Sequence, residues 1–183
     1  MKKIIAGVDE VGRGSLIGPV YAAAVILDKS LNKKLLKDSK SLTKTKREIL
    51  SKYIKKNSVW SIGKASVKEI EKINILHASL LAMKRAYKNL KTPNKLALID
   101  GTYSPEIDCK TINIIKGDSK SLSIAAASII AKQYRDKLME EIGNKYPKYN
   151  FKNNAGYGTK EHYKSIEANG ITEFHRKSFK LFK

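Results

Sequence analysis

Residues 4–14 read Ile-Ile-Ala-Gly-Val-Asp-Glu-Val-Gly-Arg-Gly, and this stretch decides the fold. The uncharged run Ile4 to Val8 reads as the body of a buried strand over residues 3–9, and that strand ends on Asp9 and Glu10. Two adjacent carboxylates at the end of a buried strand are costly unless a cation or hydrogen-bond donors meet them. Gly12 and Gly14 leave room for the backbone to approach a ligand closely, and Arg13 between them carries a donor fork that suits phosphate.

Working outward, Val20 to Leu27 reads as the neighbouring strand, joined to the first by the glycine-rich connection. A pair of short apolar turns spans Leu31 to Leu36. Thr43 is placed to cap a helix reaching about Ile54, and Val59 to Ser66 reads as a third strand. From Val67 to Leu90 the pattern is helical, with Ile73, Leu76, Leu80, Leu81 and Met83 as its apolar stripe. Asn94 to Ile99 is a strand ending in Asp100-Gly101, and Thr111 to Ile115 is another, closed by Lys116-Gly117-Asp118. A long helix follows from about Ser119 to Ile142. An antiparallel hairpin first, then alternating strands and helices, predicts an α/β fold: a mixed sheet of hairpin plus parallel strands, flanked by helices. With no repeat, low-complexity tract or linker, residues 1–183 are expected to form a single domain.

The hydrophobic fraction of 42% is that of a globular protein, and no apolar stretch approaches the roughly 20 residues that span a membrane. The start, Met1-Lys2-Lys3, runs into a strand with no secretory pattern after it, so a cytoplasmic location is expected. A lone Cys109 fits that compartment and reads as inert. The formal charge is +20, from 37 Lys and Arg against 17 Asp and Glu. A lysine-rich soluble surface accounts for part of this; a polyanionic partner accounts for it too, since such a field attracts phosphate backbones without sequence preference.

Against that basic background, one syntax recurs. An apolar strand leads to an acidic residue beside a glycine at Val8-Asp9-Glu10, at Ile99-Asp100-Gly101 and at Gly117-Asp118. Singly, Asp100-Gly101 reads equally as a turn, Asp118 as a helix cap and Glu10 as a partner for a lysine. Ligands of open α/β sheets collect at strand ends, which makes the four carboxylates candidates for one shared site. Four such groups together cannot all ionise without cations, and an all-oxygen set selects Mg²⁺ or Mn²⁺. Two such ions about 4 Å apart clamp the attacking and leaving oxygens of a phosphodiester. The residues alone therefore point to a metal-dependent phosphodiester enzyme; a non-catalytic nucleic-acid binder is the alternative, and it gains nothing from carboxylates at its binding face.

The same residues resemble the ribonuclease HII family, almost end to end. Gly7-Val8-Asp9-Glu10-Val11-Gly12-Arg13-Gly14 with Gly18-Pro19-Val20 is similar to its first signature, and Leu36-Lys37-Asp38-Ser39-Lys40-Ser41-Leu42-Thr43 to its second. Leu98-Ile99-Asp100-Gly101, Lys116-Gly117-Asp118, Ser123 to Lys132, Gly156-Tyr157-Gly158-Thr159 and the closing His175-Arg176 also match. The resemblance implies an RNase H-like fold that cuts RNA in RNA/DNA hybrids and 5′ of ribonucleotides embedded in duplex DNA, leaving 3′-hydroxyl and 5′-phosphate ends. It implies Asp9, Glu10, Asp100 and Asp118 as catalytic ligands of two Mn²⁺ or Mg²⁺ ions, with Asp9 bridging. Gly12, Arg13 and Gly14 would read the 2′-hydroxyl and adjoining phosphate, and Tyr157 would stack on the following deoxyribose. Val11, Gly158 and Glu173 depart from common family residues without touching a ligand. The protein is expected to act as a monomer.

Other residues have two readings. Lys40 is a candidate phosphate contact, while Asp38 reads as a turn residue. Lys120 and Lys132 flank a helix whose small residues suit close packing. His77, His162 and His175 read first as structural, and the last two secondarily as proton-transfer groups.

Overall fold

The computed structural model describes residues 4–28, 31–32, 36, 43–92 and 96–182. At its centre lies strand β1 (Ile5–Val11), antiparallel to β2 (Val20–Leu27), which is antiparallel in turn to β3 (Ser58–Ala65). On the other side β1 runs parallel to β4 (Leu96–Asp100), and β4 parallel to β5 (Lys110–Ile114). The order is β3-β2-β1-β4-β5, the hairpin-plus-parallel sheet expected from the sequence.

Strand periodicity divides the core. Ala6 and Val8 of β1, with Ala22, Ala24, Ala97 and Ile99, face the long helix α2 (Val67–Asn89), where Ile70, Ala78, Ala82 and Met83 meet them. Ala23 and Val25 face the opposite way. They pack on Ala126, Ala127 and Ile130 of α3 (Leu122–Lys145) and on Leu50 and Ile54 of α1 (Lys44–Lys56), which Thr43 caps as expected. A third cluster gathers Leu16 and Ile17 with Met139 and Ile142 of α3, and with Tyr149, Phe151, Ile166 and Leu181 from the C-terminal segment. That segment carries the short helix α4 (Phe151–Asn154) and α5 (Lys160–Asn169).

Gly7 sets the seat of α3. A Cβ there would lie 2.2 Å from the Ser123 carbonyl carbon, so only glycine lets the start of α3 cross β1 in direct backbone contact. Gly7→Ala is expected to lower stability by about 1–3 kcal/mol, because the clash is with backbone that must move. Urea unfolding checks this; an unchanged midpoint would mean α3 is not seated on Gly7.

One expectation needs correction. β1 does not end at Asp9: its ladder with β2 continues through Glu10↔Ala22 to Val11↔Tyr21, so both carboxylates lie inside the strand. The parallel ladder with β4 ends at Val8↔Ile99, and continuing its register sets Asp9 beside Asp100. The mostly helical segment expected over 67–90 is found as α2, with a kink at Asn74, where φ is 62° and ψ 170°. Asparagine tolerates that conformation, and Asn74 Oδ1 accepts from the N–H groups of Leu76 (2.9 Å) and His77 (3.1 Å), capping the second half. Of the apolar turns predicted over 31–36, residues 33–35 lie outside the described residues, while Leu31 and Leu36 are buried in the core on the α3 side. Among the described residues no helix is long and apolar enough to cross a membrane.

Candidate active site

Three segments deliver carboxylates to one end of the sheet. Asp9 is 4% exposed, on the face of β1 that meets α3. Its Oδ1 accepts the Glu10 N–H at 2.7 Å, and the Ser128 hydroxyl of α3 also bonds to it. Burial above all, then the charges of Glu10 and Asp100, push the Asp9 carboxyl well above its ordinary range. Burial likewise raises Glu10, against the opposing pull of Arg13, with Asp100 adding to the rise. Arg13 Nη1 donates to Glu10 Oε1 at 3.3 Å, whereas Glu10 Oε2 is buried without a partner among the described residues.

Asp100 closes β4, and its Oδ1 accepts the Gly117 N–H at 2.6 Å. Lys116 turns the chain with a left-handed φ of 55°, and Gly117 opens a 3-10 turn over Gly117–Ser119. A Cβ on Gly117 would sit 3.1 Å from Asp100 Oδ1 and 2.6 Å from Ile124 Cδ1, so glycine lets this turn come against the carboxylate. Asp118 follows at once, inside the turn and not as the cap of α3, whose N-cap is Ser121. Asp9, Glu10 and Asp100 thus act on one another electrically, and Asp118 adjoins the residue bonded to Asp100. As placed, no three Asp, Glu, His or Cys side chains among the described residues form a closed metal cage. What stands there is a desolvated acidic edge with an unpartnered oxygen. That oxygen and the hard donor set fit a divalent cation.

Beside this edge, residues 12–19 form a loop stitched to the C-terminal segment by paired bridges, Ser15↔Tyr157 and Ile17↔His175. The Leu16 N–H donates to Gly156 O at 2.8 Å, and the Gly18 N–H to Phe174 O at 2.8 Å. Gly12 has φ +93°, a backbone region that disfavours side chains. An ideal Cβ on Gly14 would be 3.7 Å from Cε1 of Tyr157, so the structure brings the loop and the tyrosine into contact across 143 residues of chain. Tyr157 is 39% exposed and the Arg13 side chain 46%, so both are open to a ligand.

Tyr157 is held from behind. Its carbonyl accepts from Nδ1–H of buried His162 (2.9 Å), and His162 Nε2 lies 3.2 Å from His175 Nε2. His175 Nδ1 accepts the Thr172 N–H at 2.8 Å, which fixes its proton on Nε2, donated to His162. Every ring nitrogen is used only while both rings are neutral. Burial first, then the charge of His162, lowers His175 to about 4, and burial lowers His162 as well. Both shifts are downward from 6.5, so the unfolded chain binds more protons between about 4 and 6.5. The pair's contribution is therefore complete above pH 6.5 and is lost as pH falls toward 4. Thermal midpoints measured from pH 7.5 to 4.5 should drop, and His175→Asn should flatten that slope. This supports the structural reading of both histidines.

Lys40 and Asp38 lie outside the described residues. Lys132 pairs with Asp136, and Lys120 is exposed with no role that the structure explains. Sequence reading took Ser128 only as part of a close-packing run and gave no role to Arg135 or Arg176. The signal available was that only five of the 37 basic residues are arginine, so each arginine marks a place where a fork is needed.

Comparisons with known proteins point to one family and one fold. The family model described as Ribonuclease HII matches residues 6–182. A protein of Pelagibacter ubique (strain HTCC1062) named Ribonuclease HII is 65% identical over 178 residues, covering 97% of this chain and 96% of the relative. Among solved structures, that of the PCNA:RNase HII complex from Archaeoglobus fulgidus aligns with TM-score 0.79 at 26% identity, covering 98% of this chain and 96% of the other. Bst-RNase HIII in complex with Mn²⁺ shares the fold at TM-score 0.75 and 19% identity, covering 98% of this chain and 68% of that one.

Proposed function

The chain belongs to the ribonuclease HII family and is a ribonuclease H, and we propose that it cuts RNA strands paired with DNA and the phosphodiester 5′ of a ribonucleotide embedded in duplex DNA, leaving 3′-hydroxyl and 5′-phosphate ends. The observation that carries this reading is the desolvated edge where Asp9 lies between the charges of Glu10 and Asp100, with Glu10 Oε2 unpartnered. Asp9, Glu10, Asp100 and Asp118 would hold two divalent cations, Mn²⁺ or Mg²⁺. When bound, these supply the activation of water and the charge stabilisation that an in-line phosphoryl displacement needs.

The chain's own groups do the rest. Asp9 is fixed by the Glu10 N–H and the Ser128 hydroxyl, and Asp100 by the Gly117 N–H, so their oxygens are preorganised before substrate arrives. Gly12 and Gly14 bring backbone close to a ribose, Arg13 reaches the adjoining phosphate, and the Tyr157 ring packs on a sugar that lacks the 2′-hydroxyl. The Ser15↔Tyr157 bridge brings the loop beside the tyrosine, which supports reading the two as halves of one RNA-to-DNA junction readout. The basic surface, with the monomer as the acting unit, gathers the polyanion.

A duplex with one ribonucleotide, incubated with EDTA, Mg²⁺ or Mn²⁺ and mapped at nucleotide resolution, tests this. We expect a single cut 5′ of the ribonucleotide in either metal and none in EDTA. Cutting in EDTA, a cut elsewhere, or salt-sensitive binding with no turnover in any metal would refute the proposal.

A further inference from the structure

Of the five arginines, three face carboxylates: Arg13 bonds Glu10, Arg47 bonds Asp136, and Arg85 grips both oxygens of Glu69. The other two are different. Arg135 on α3 and Arg176 in the closing segment are both 0% exposed, and among the described residues neither has a carboxylate at ion-pair distance. Arg176 donates from Nε to Gly18 O (2.8 Å), from Nη1 to Arg13 O (2.9 Å) and from Nη2 to Gly12 O (2.8 Å), with its guanidinium 5.1 Å over the Phe179 ring. Arg135 donates from Nη1 to Pro19 O (2.8 Å) and from Nη2 to Ser15 Oγ (2.6 Å), Ile17 O (3.1 Å) and Ala155 O (3.4 Å). Its Nε, without a partner among the described residues, lies 2.7 Å from where a Gly12 Cβ would be.

Five backbone carbonyls of one loop, those of residues 12, 13, 17, 18 and 19, are thus turned inward onto two buried cations. Burying a charge without a counter-charge is costly, and two like charges in one place compound it: each guanidinium is depressed by burial, and Arg176, to about 9, also by Arg135. Neutral amides would hold a loop at less expense. What the pair achieves is directional, because the Gly12 and Arg13 carbonyls are held back on Arg176 while the Arg13 side chain reaches Glu10 on the acidic edge. Two fixed positive charges behind the loop also favour an anion in front of it.

We propose that Arg135 and Arg176 are positioning residues that hold the Gly12–Arg13–Gly14 backbone in its substrate-reading orientation, from two segments lying 120 and more residues away. This deepens the function proposed above and rests on it. Neither residue touches a carboxylate of the site, so the pair acts on substrate recognition more than on chemistry.

Arg135→Lys and Arg176→Lys keep the charge and lose the fork. On a duplex carrying one ribonucleotide, each is expected to raise KM about 10- to 100-fold while kcat falls less, and to speed amide hydrogen exchange at Arg13 and Gly14 in the metal-free protein. A folded variant with wild-type KM and wild-type exchange in this loop would overturn the inference. If the lysine variants do not fold, Ser15→Ala, which removes the shortest contact of Arg135, decides instead: a raised KM supports the pair's role, and a wild-type KM refutes it. Arg13→Ala separates the two levels. If it leaves KM and selectivity intact, the reading of the loop as a substrate contact fails; if it disturbs them and Arg176→Lys does not, only the positioning role fails.

Discussion

Asp9→Asn should reduce cleavage of a ribonucleotide-containing duplex by at least about 1,000-fold, some 4 kcal/mol of barrier, while leaving the folded protein as stable as before or more so. The expectation follows from what the carboxylate costs. Asp9 is buried and lies next to Glu10 and Asp100, and all three influences of burial and charge disfavour its ionised form. Asparagine keeps the side chain's shape and its oxygen, so the Glu10 N–H and the Ser128 hydroxyl still have a group to bond. It removes the negative charge at the most enclosed point of the acidic edge. A charge kept at a loss to folding is one that function uses. Hybrid binding by the variant, measured without turnover in Ca²⁺ or EDTA, should stay close to wild type, because the basic surface and the loop are untouched. Cleavage at the wild-type rate, or a large fall in thermal midpoint with cleavage retained, would show that Asp9 is structural.

How much of this was legible in the sequence depends on the range of the interaction. The strands, the Thr43 cap and the acidic end of β4 at Asp100 are written in local pattern, and the structure places them close to where periodicity and capping chemistry put them. The continuation of β1 through Glu10 to Val11 was not legible, since a strand's length is set by its partner and not by its own hydropathy. The break at Asn74 was missed for the opposite reason: the apolar stripe continues across it, and only the asparagine's tolerance of positive φ hints at the interruption. Least legible were Arg135 and Arg176. Their acceptors are backbone carbonyls, which carry no residue identity, so no composition or spacing rule could point from the arginines to the loop. Gly12 and Gly14 were legible as glycines but not as different kinds of glycine.

That difference yields the last large expected effect. Gly12 sits at φ +93° with an Arg135 atom 2.7 Å from its would-be Cβ, so Gly12→Ala strains the backbone and pushes on a buried guanidinium. It should cost stability, by more than about 1 kcal/mol. Gly14 has no such constraint: its φ is ordinary for any residue, and a methyl there would rest at 3.7 Å from the Tyr157 ring, a normal contact. Gly14→Ala should therefore change the unfolding midpoint by less than about 0.5 kcal/mol. Yet the methyl would stand at the meeting of loop and tyrosine, where a ribose must lie against bare backbone. A displacement of about 1 Å at a reacting centre costs about 100-fold, so kcat/KM on the single-ribonucleotide duplex should fall by about that factor. The loss should be smaller on an all-RNA strand paired with DNA, which offers alternative registers along the groove. A stable Gly14→Ala variant with undiminished preference for the junction would mean that close backbone approach at this glycine is not how the ribose is read. The same result would leave the carboxylates standing and remove the loop from the specificity argument, because the two proposals rest on different atoms.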